Sequence, residues 1–208
     1  MQRSLFLLLI LSSFTLVSNA QKVKKKPLNG MFSLGMRSTI SAFNHMDVES
    51  PGLGYGAQFR LQFHPRINTE WYADYLTASI GDVGRRNDAH VGWSVMYYFL
   101  DQPDFKPLFK PYLLTGHCFD YTSMQALEVN APKFERWSAA IQTGMGTHIN
   151  LTERFDITVV AQYMFHLGEE IHAHIHEGVL EIEEHHGASL EGHFLFTLGL
   201  NYKIAELW

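Results

Sequence analysis

From Arg154 to Gly168 the chain alternates between apolar and polar residues. Phe155, Ile157, Val159, Ala161, Tyr163, Phe165 and Leu167 fall on one side, and Arg154, Asp156, Thr158, Gln162 and His166 on the other. A period of two over this length is a long β-strand with one apolar and one polar face. One such strand fits half of a soluble sandwich. The same pattern recurs eight times behind a secretory signal, with charges on the polar face. A transmembrane β-barrel unites these facts, because its outside meets lipid while its inside is polar.

The recurrences locate the strands. The first carries Phe32, Leu34, Met36, Ser38, Ile40 and Ala42 outward, against Gly35, Arg37 and Thr39. The second runs from Leu53 to His64, with Arg60 inward, and a tight turn at Pro65-Arg66 leads into the third. There Ile67, Trp71, Ala73 and Tyr75 oppose Asn68, Glu70, Tyr72 and Asp74. In the fourth, Val91 to Phe99 point outward at every second position, with His90, Gly92, Ser94 and Met96 inward. The fifth, near Lys110 to Asp120, has the weakest pattern; Tyr112, Leu114, Gly116 and Cys118 are placed outward, Thr115 and His117 inward. The sixth spans Arg136 to Asn150 and the seventh begins at Arg154. The eighth sets Leu190, Phe194, Phe196, Leu198, Leu200 and Tyr202 against Glu191, His193, Thr197, Gly199, Asn201 and Lys203.

Connection length alternates too. Short links follow the second and sixth strands, and the link from Asp101 to Phe109 holds Pro103 and Pro107. Longer loops are expected at Asn44–Gly52, Gly81–Ala89, Tyr121–Glu135 and Gly168–Ser189. Outer-membrane barrels keep short turns on the periplasmic side and long loops outside. Outward aromatics sort into two belts, Phe32, Phe63, Phe99, Tyr112 and Tyr202 near the turns, and Tyr55, Trp137, Tyr163, Phe165 and Phe194 near the loops. Such belts suit the two headgroup layers.

The first thirty residues read as export and spacing. Arg3 precedes an apolar run from Leu5 to Val17, and Ser18-Asn19-Ala20 offers small residues for cleavage before Gln21. Residues 1–20 are therefore a signal peptide, 21–30 a basic periplasmic linker containing Lys22, Lys24, Lys25 and Lys26, and 31–208 the barrel. The lysines form a solvated linker or attract anionic headgroups or an acidic partner. No later segment approaches the run of ~20 apolar residues of a membrane helix. A single cysteine, Cys118, excludes an intramolecular disulfide. With a net charge of −5 and no basic patch carrying aromatics, nucleic acid is not a partner.

Over residues 31 to 203, on this strand pattern and on Pro111-Tyr112-Leu113 and Gly144-Met145-Gly146-Thr147, the chain resembles the small eight-stranded outer-membrane barrels. The likeness is to the OmpA-like and OmpX-like class, especially the short single-domain barrels of Bacteroidetes. It implies an all-β, eight-stranded antiparallel up-and-down barrel in the outer membrane of a Gram-negative cell. Lipid and lipopolysaccharide would surround it, and an outer-membrane or periplasmic protein would be the partner class. No peptidoglycan-binding domain follows, so a cell-wall anchoring role is not carried over. Residues also continue past Tyr202 to Trp208, which leaves the terminal aromatic assembly signal open.

Three constellations could carry chemistry. An eight-stranded lumen holds side chains rather than an open channel. Its charges, Arg37, Arg60, Arg154 and Lys203 with Glu70, Asp74 and Asp156, should neutralise one another. The turn at Pro65-Arg66 sets Arg60 nearly opposite Glu70, and the pair is expected there. The second is the stretch 168–193, with His172, His174, His176, His185, His186 and His193 among glutamates. If the seventh strand continues above the membrane, His172, His174 and His176 share a face and could bind Zn or Cu; otherwise this is a solvated or pH-sensitive loop. No other cofactor is implied. The third is catalytic. Some barrels of this class modify lipid with a serine or histidine in the lipid-facing wall, but Ser38 has no outward histidine beside it. Cys118 reads as wall packing. The expectation is a non-enzymatic structural or interaction protein, with a lipid-modifying enzyme or a metal-binding surface protein as alternatives.

Overall fold

The computed structural model describes residues 29–43, 50–100, 108–176, 179–189 and 192–208, without the side chains at 169–172, 176, 179 and 183–189. The expected signal peptide and the expected linker up to residue 28, the interior of the first loop, the link 101–107, residues 177 and 178, and Leu190 and Glu191 lie outside them. Every regular element among the described residues is a strand: β1 (Met31–Phe43), β2 (Gly52–His64), β3 (Ile67–Ile80), β4 (Gly84–Tyr98), β5 (Phe109–Ala126), β6 (Lys133–Asn150), β7 (Phe155–His176), β8 (Val179–Ser189) and β9 (Gly192–Glu206).

Neighbours from β1 to β7 pair antiparallel in sequence order, and β9 lies between β7 and β1. That closes a ring of eight strands, with no free edge and every ladder group paired inside the wall. The ninth strand stands outside the ring. β6–β7 pairing stops at Ala139↔Leu167 and β7–β9 pairing at Phe165↔Gly192. Beyond this point β7 pairs with β8 alone. The departure falls on Gly168, whose φ of 139° is open to glycine and not to a branched side chain.

Alternation sorts the side chains as period two requires. Met36 is 77% exposed and Arg37 is 4%, and Leu198, Leu200, Val91 and Met145 face out in the same way. A soluble monomer does not present an apolar belt around its whole girth. Water cannot be the solvent of this wall; hydrocarbon can. Outward rings cluster at both heights, as with Phe59 stacked on Trp71 at 4.9 Å and Tyr163 edge-on to Phe194 at 4.8 Å.

Two kinds of sequence expectation are corrected here, the facing of one strand and the extent of the loops. On β5 the faces are reversed: Tyr112, Leu114 and Cys118 are buried in the lumen, while Leu113, Thr115 and Phe119 face out, with His117 beside them. Tyr112 is thus no member of the outer aromatic belt. The reason is that this inner row is apolar, packing on Met96, Tyr98 and Val160 near the turns and on Tyr72, Met164 and Leu195 higher up. The expected loop Gly81–Ala89 is also strand, because β3 and β4 are joined by only 81–83. Most of 121–135 and of 168–189 is strand for the same reason, since above the lipid both faces of a strand can be polar.

Candidate functional site

In the lumen, charged groups from every strand of the ring converge. At the end of the barrel where β1 begins and β9 ends, Arg60 on β2 donates through Nη2 to both carboxylate oxygens of Asp156 on β7, at 2.8 and 2.7 Å. Asn201 Nδ2 donates to the same carboxylate at 3.1 Å, and Lys203 Nζ stands 3.6 Å from it. Arg60 Nη1 lies 2.9 Å from His148 Nδ1. One layer higher in the barrel, Arg37 meets Glu70 and Asp74, each at 3.1 Å, and lies 4.2 Å over the Tyr72 ring.

This arrangement corrects the expected Arg60–Glu70 pair. Arg60 and Glu70 are opposite in the β2–β3 register. Even so, Glu70 is held by Arg37, and Arg60 reaches across the lumen to Asp156. Closure of the ring brings β7 opposite β2, so the closer carboxylate lies 96 positions away in sequence. Arg154 stands apart from the network; on the turn before β7 it donates to Tyr202 Oη at 2.8 Å.

At mid-height Gln142 binds four strands together. It accepts from Tyr72 Oη at 2.5 Å and from Gln162 Nε2 at 3.1 Å, and it donates to Ser94 Oγ at 2.7 Å. Gly92 is required here, because a Cβ on it would lie 2.6 Å from Tyr72 Oη. An apolar layer of Leu76, Cys118, Ala140, Met164 and Leu195 sits above.

A second polar cluster caps that layer, and alternation alone does not assemble it. Asp120 Oδ1 is 3.2 Å from His90 Nε2, and its Oδ2 is 3.2 Å from His166 Nδ1 and 3.3 Å from Arg136 Nη2. His166 Nε2 then meets His193 Nδ1 at 3.1 Å. Arg86 and Thr122 both engage Asp88 just above. The inward phase of His90, His166 and His193 is legible in the sequence. Asp120 as the partner of His90 and His166 is not, since the pattern of its own strand points to the opposite phase.

Above the lipid, β5, β6, β7 and β8 form a rim. Ile80, Met124 and Ala173 are buried there against Phe134, Leu180 and Ile182. They adjoin an open cavity of about 530 Å3 with Leu127 and Val129 on its far wall and Asp82 and Glu128 at its edge. On β6, Lys133 pairs with Glu135. Their hydrogen bond holds the ammonium pKa above, and the carboxyl pKa below, the ordinary values.

β7 does continue above the membrane, so positions 172, 174 and 176 alternate along one strand. In the β7–β8 register His172 is opposite Glu183 and His174 opposite Glu181. The His174 side chain is exposed; those of His172 and His176 lie outside the described ones. Among the described residues no group of three metal-ligating side chains converges. On the lipid face, His117 contacts the Phe119 ring at 4.8 Å.

No family model matches the chain, and no curated protein does. Solved structures do match. The Neisserial surface protein A (NspA) is 12% identical over 84% of this chain and 97% of its own, with a TM-score of 0.56. A major outer membrane protein from Thermus thermophilus is 8% identical over 82% and 98%, with a TM-score of 0.55. The outer membrane protein OprG from Pseudomonas aeruginosa is 12% identical over 87% and 99%, with a TM-score of 0.53. At these identities the likeness is one of fold. An apolar girdle on a closed ring, a filled polar lumen and these neighbours agree: the chain folds as a small eight-stranded outer-membrane β-barrel.

Proposed function

We propose that this chain is an outer-membrane protein with a non-enzymatic structural or interaction role, working through its loop-end rim and passing no ions through its lumen. The observation that carries the reading is the contrast between the two regions. The lumen is crossed by Arg60–Asp156, Arg37–Glu70 and the Gln142 bonds, and filled between them by Leu76, Met164 and Leu195. The rim instead leaves Val129 91% exposed beside a cavity of about 530 Å3, within the usual range of small-ligand pockets. The end where β1 begins and β9 ends then faces the periplasm, as short turns do in this fold. One neighbour of the same fold is named a surface protein, which is consistent with a role at the rim.

Planar bilayers holding the refolded protein test the reading. The expected record has no conductance steps at physiological salt. Steady single-channel steps that vanish on blocking the lumen would overturn it.

The strand placement of His172, His174 and His176 favours a second reading, a metal-binding rim that takes Zn or Cu. Calorimetry with Zn should give heat with the wild type and none with a triple alanine variant, and affinity should fall as pH drops through about 6.5, where free imidazole is protonated. Equal heats from the two proteins exclude it.

A further inference from the structure

Among the described residues, each charged side chain of the lumen meets an opposite charge except at the periplasmic mouth. In the lower half of the lumen the cations are Arg37, Arg60, Lys110 and Lys203, and the carboxylates are Glu70, Asp74 and Asp156. Arg37 takes Glu70 and Asp74. Asp156 serves both Arg60 and Lys203. One positive charge is left over, and it is Lys110. This residue is half-buried near the start of β5, opposite His148 in the β5–β6 register, and among the described residues it makes neither hydrogen bond nor ion pair. A half-buried ammonium without a partner gives up part of its hydration with nothing in return.

Two further observations point to what would relieve it. Arg60, Lys110, Lys203, His148, Asn150 and Asp156 line a single cavity of about 20 Å3 that opens at the mouth. That is room for one water-sized group. Fully buried Arg60 Nε also has no acceptor. The wall thus offers unmet donors and net positive charge, around a space the size of one oxygen atom, at the open end of the barrel.

We propose that the periplasmic mouth binds an oxyanion, a phosphate or carboxylate group that sets one oxygen into this cavity against Lys110, with Lys203 and Arg60 behind it. A lysine ammonium suits the role as a compact point charge with three donors. The site is independent of the rim and of whether the rim binds anything.

The test uses the full mature chain refolded in zwitterionic detergent, with the thermal unfolding midpoint as readout at constant ionic strength. Inorganic phosphate and acetate should raise the midpoint saturably, and chloride should not. Lys110→Met should weaken the apparent phosphate affinity about tenfold or more, whereas Lys110→Arg should keep it. Without phosphate, Lys110→Met should melt above the wild type, because the excess charge is gone and no pair is broken. That sign separates a charge site from a merely structural lysine. Nanodiscs distinguish the source: in anionic lipid a headgroup phosphate would occupy the mouth and added phosphate would lose its effect, whereas in zwitterionic lipid it would keep it. Equal phosphate shifts in the wild type and Lys110→Met, or equal shifts from chloride and phosphate, would overturn the proposal.

Discussion

Asp156 shows what a single residue carries in a closed barrel. It accepts two bonds from Arg60 and one from Asn201, and it stands near Lys203 and His148. Removing it strands a buried guanidinium, which typically costs about 3–5 kcal/mol. Asp156→Leu should therefore destabilise the barrel by that order in urea unfolding from vesicles. The double variant Arg60→Met, Asp156→Leu should recover part of the loss, since no guanidinium is left stranded, while Lys203 still lacks its carboxylate. The same cycle on Arg60 and Glu70 should give a much smaller coupling, because Glu70 answers to Arg37. A larger Arg60–Glu70 coupling would contradict the cross-lumen assignment. Here the limit of sequence reasoning is plain. The types of residue and their inward phase can be read from alternation. The pairing cannot, because a contact across the lumen depends on where the sheet closes.

At the scale of an element, β5 is the instructive strand. Polarity selects a face only when one row is polar, and β5 has Tyr112, Leu114 and Cys118 on the inner row with Thr115 and His117 on the outer. Read alone, that strand points the wrong way. Its phase is fixed by its neighbours: register opposite Trp93 and Ile141 puts His117 on the lipid side. The other seven ring strands are legible because their inner rows carry Arg37, Arg60, Glu70, Asp74, His90, Gln142, Asp156 and Asn201. Strand ends are less so. Arg85, Arg86, Asn87 and Asp88 look like loop, yet they lie in β4 above the lipid, where an outward polar residue costs nothing. A fluorophore on cysteines at Leu113, Thr115 or Phe119 should be quenched by lipid-borne bromine, and one at Tyr121, higher on the same face, less so. Native Cys118 should stay unreactive in the folded barrel, being fully buried. Quenching absent at all three outward positions would restore the opposite phase.

For the whole molecule, the ring and the hairpin above it are separable in a way the chain order conceals. Pairing within the ring ends at Leu167 and Gly192, and β8 bonds to β7 alone. The hairpin is still not idle: Ile175 and Leu180 lie against Gly81 and Gly84 at the β3–β4 turn, and Leu180 and Ile182 form one wall of the rim cavity. A variant with residues 170–188 replaced by a short Gly-rich turn should therefore keep the ring and lose the rim. Its heat-modifiable shift on denaturing gels should persist, since every ladder bond that closes the barrel survives. Its stability should fall only modestly, by the burial of Leu180 and Ile182 on Phe134, about 1.5–3 kcal/mol for each side chain at full burial and less for these half-buried ones. Ile80 and Met124, now uncovered, should bind an apolar fluorescent reporter more strongly or at a different stoichiometry, and any Zn heat should vanish with His172, His174 and His176. A truncated chain that failed to fold would mean that the hairpin nucleates closure, so the order of the ring strands would not by itself set the folding of this barrel.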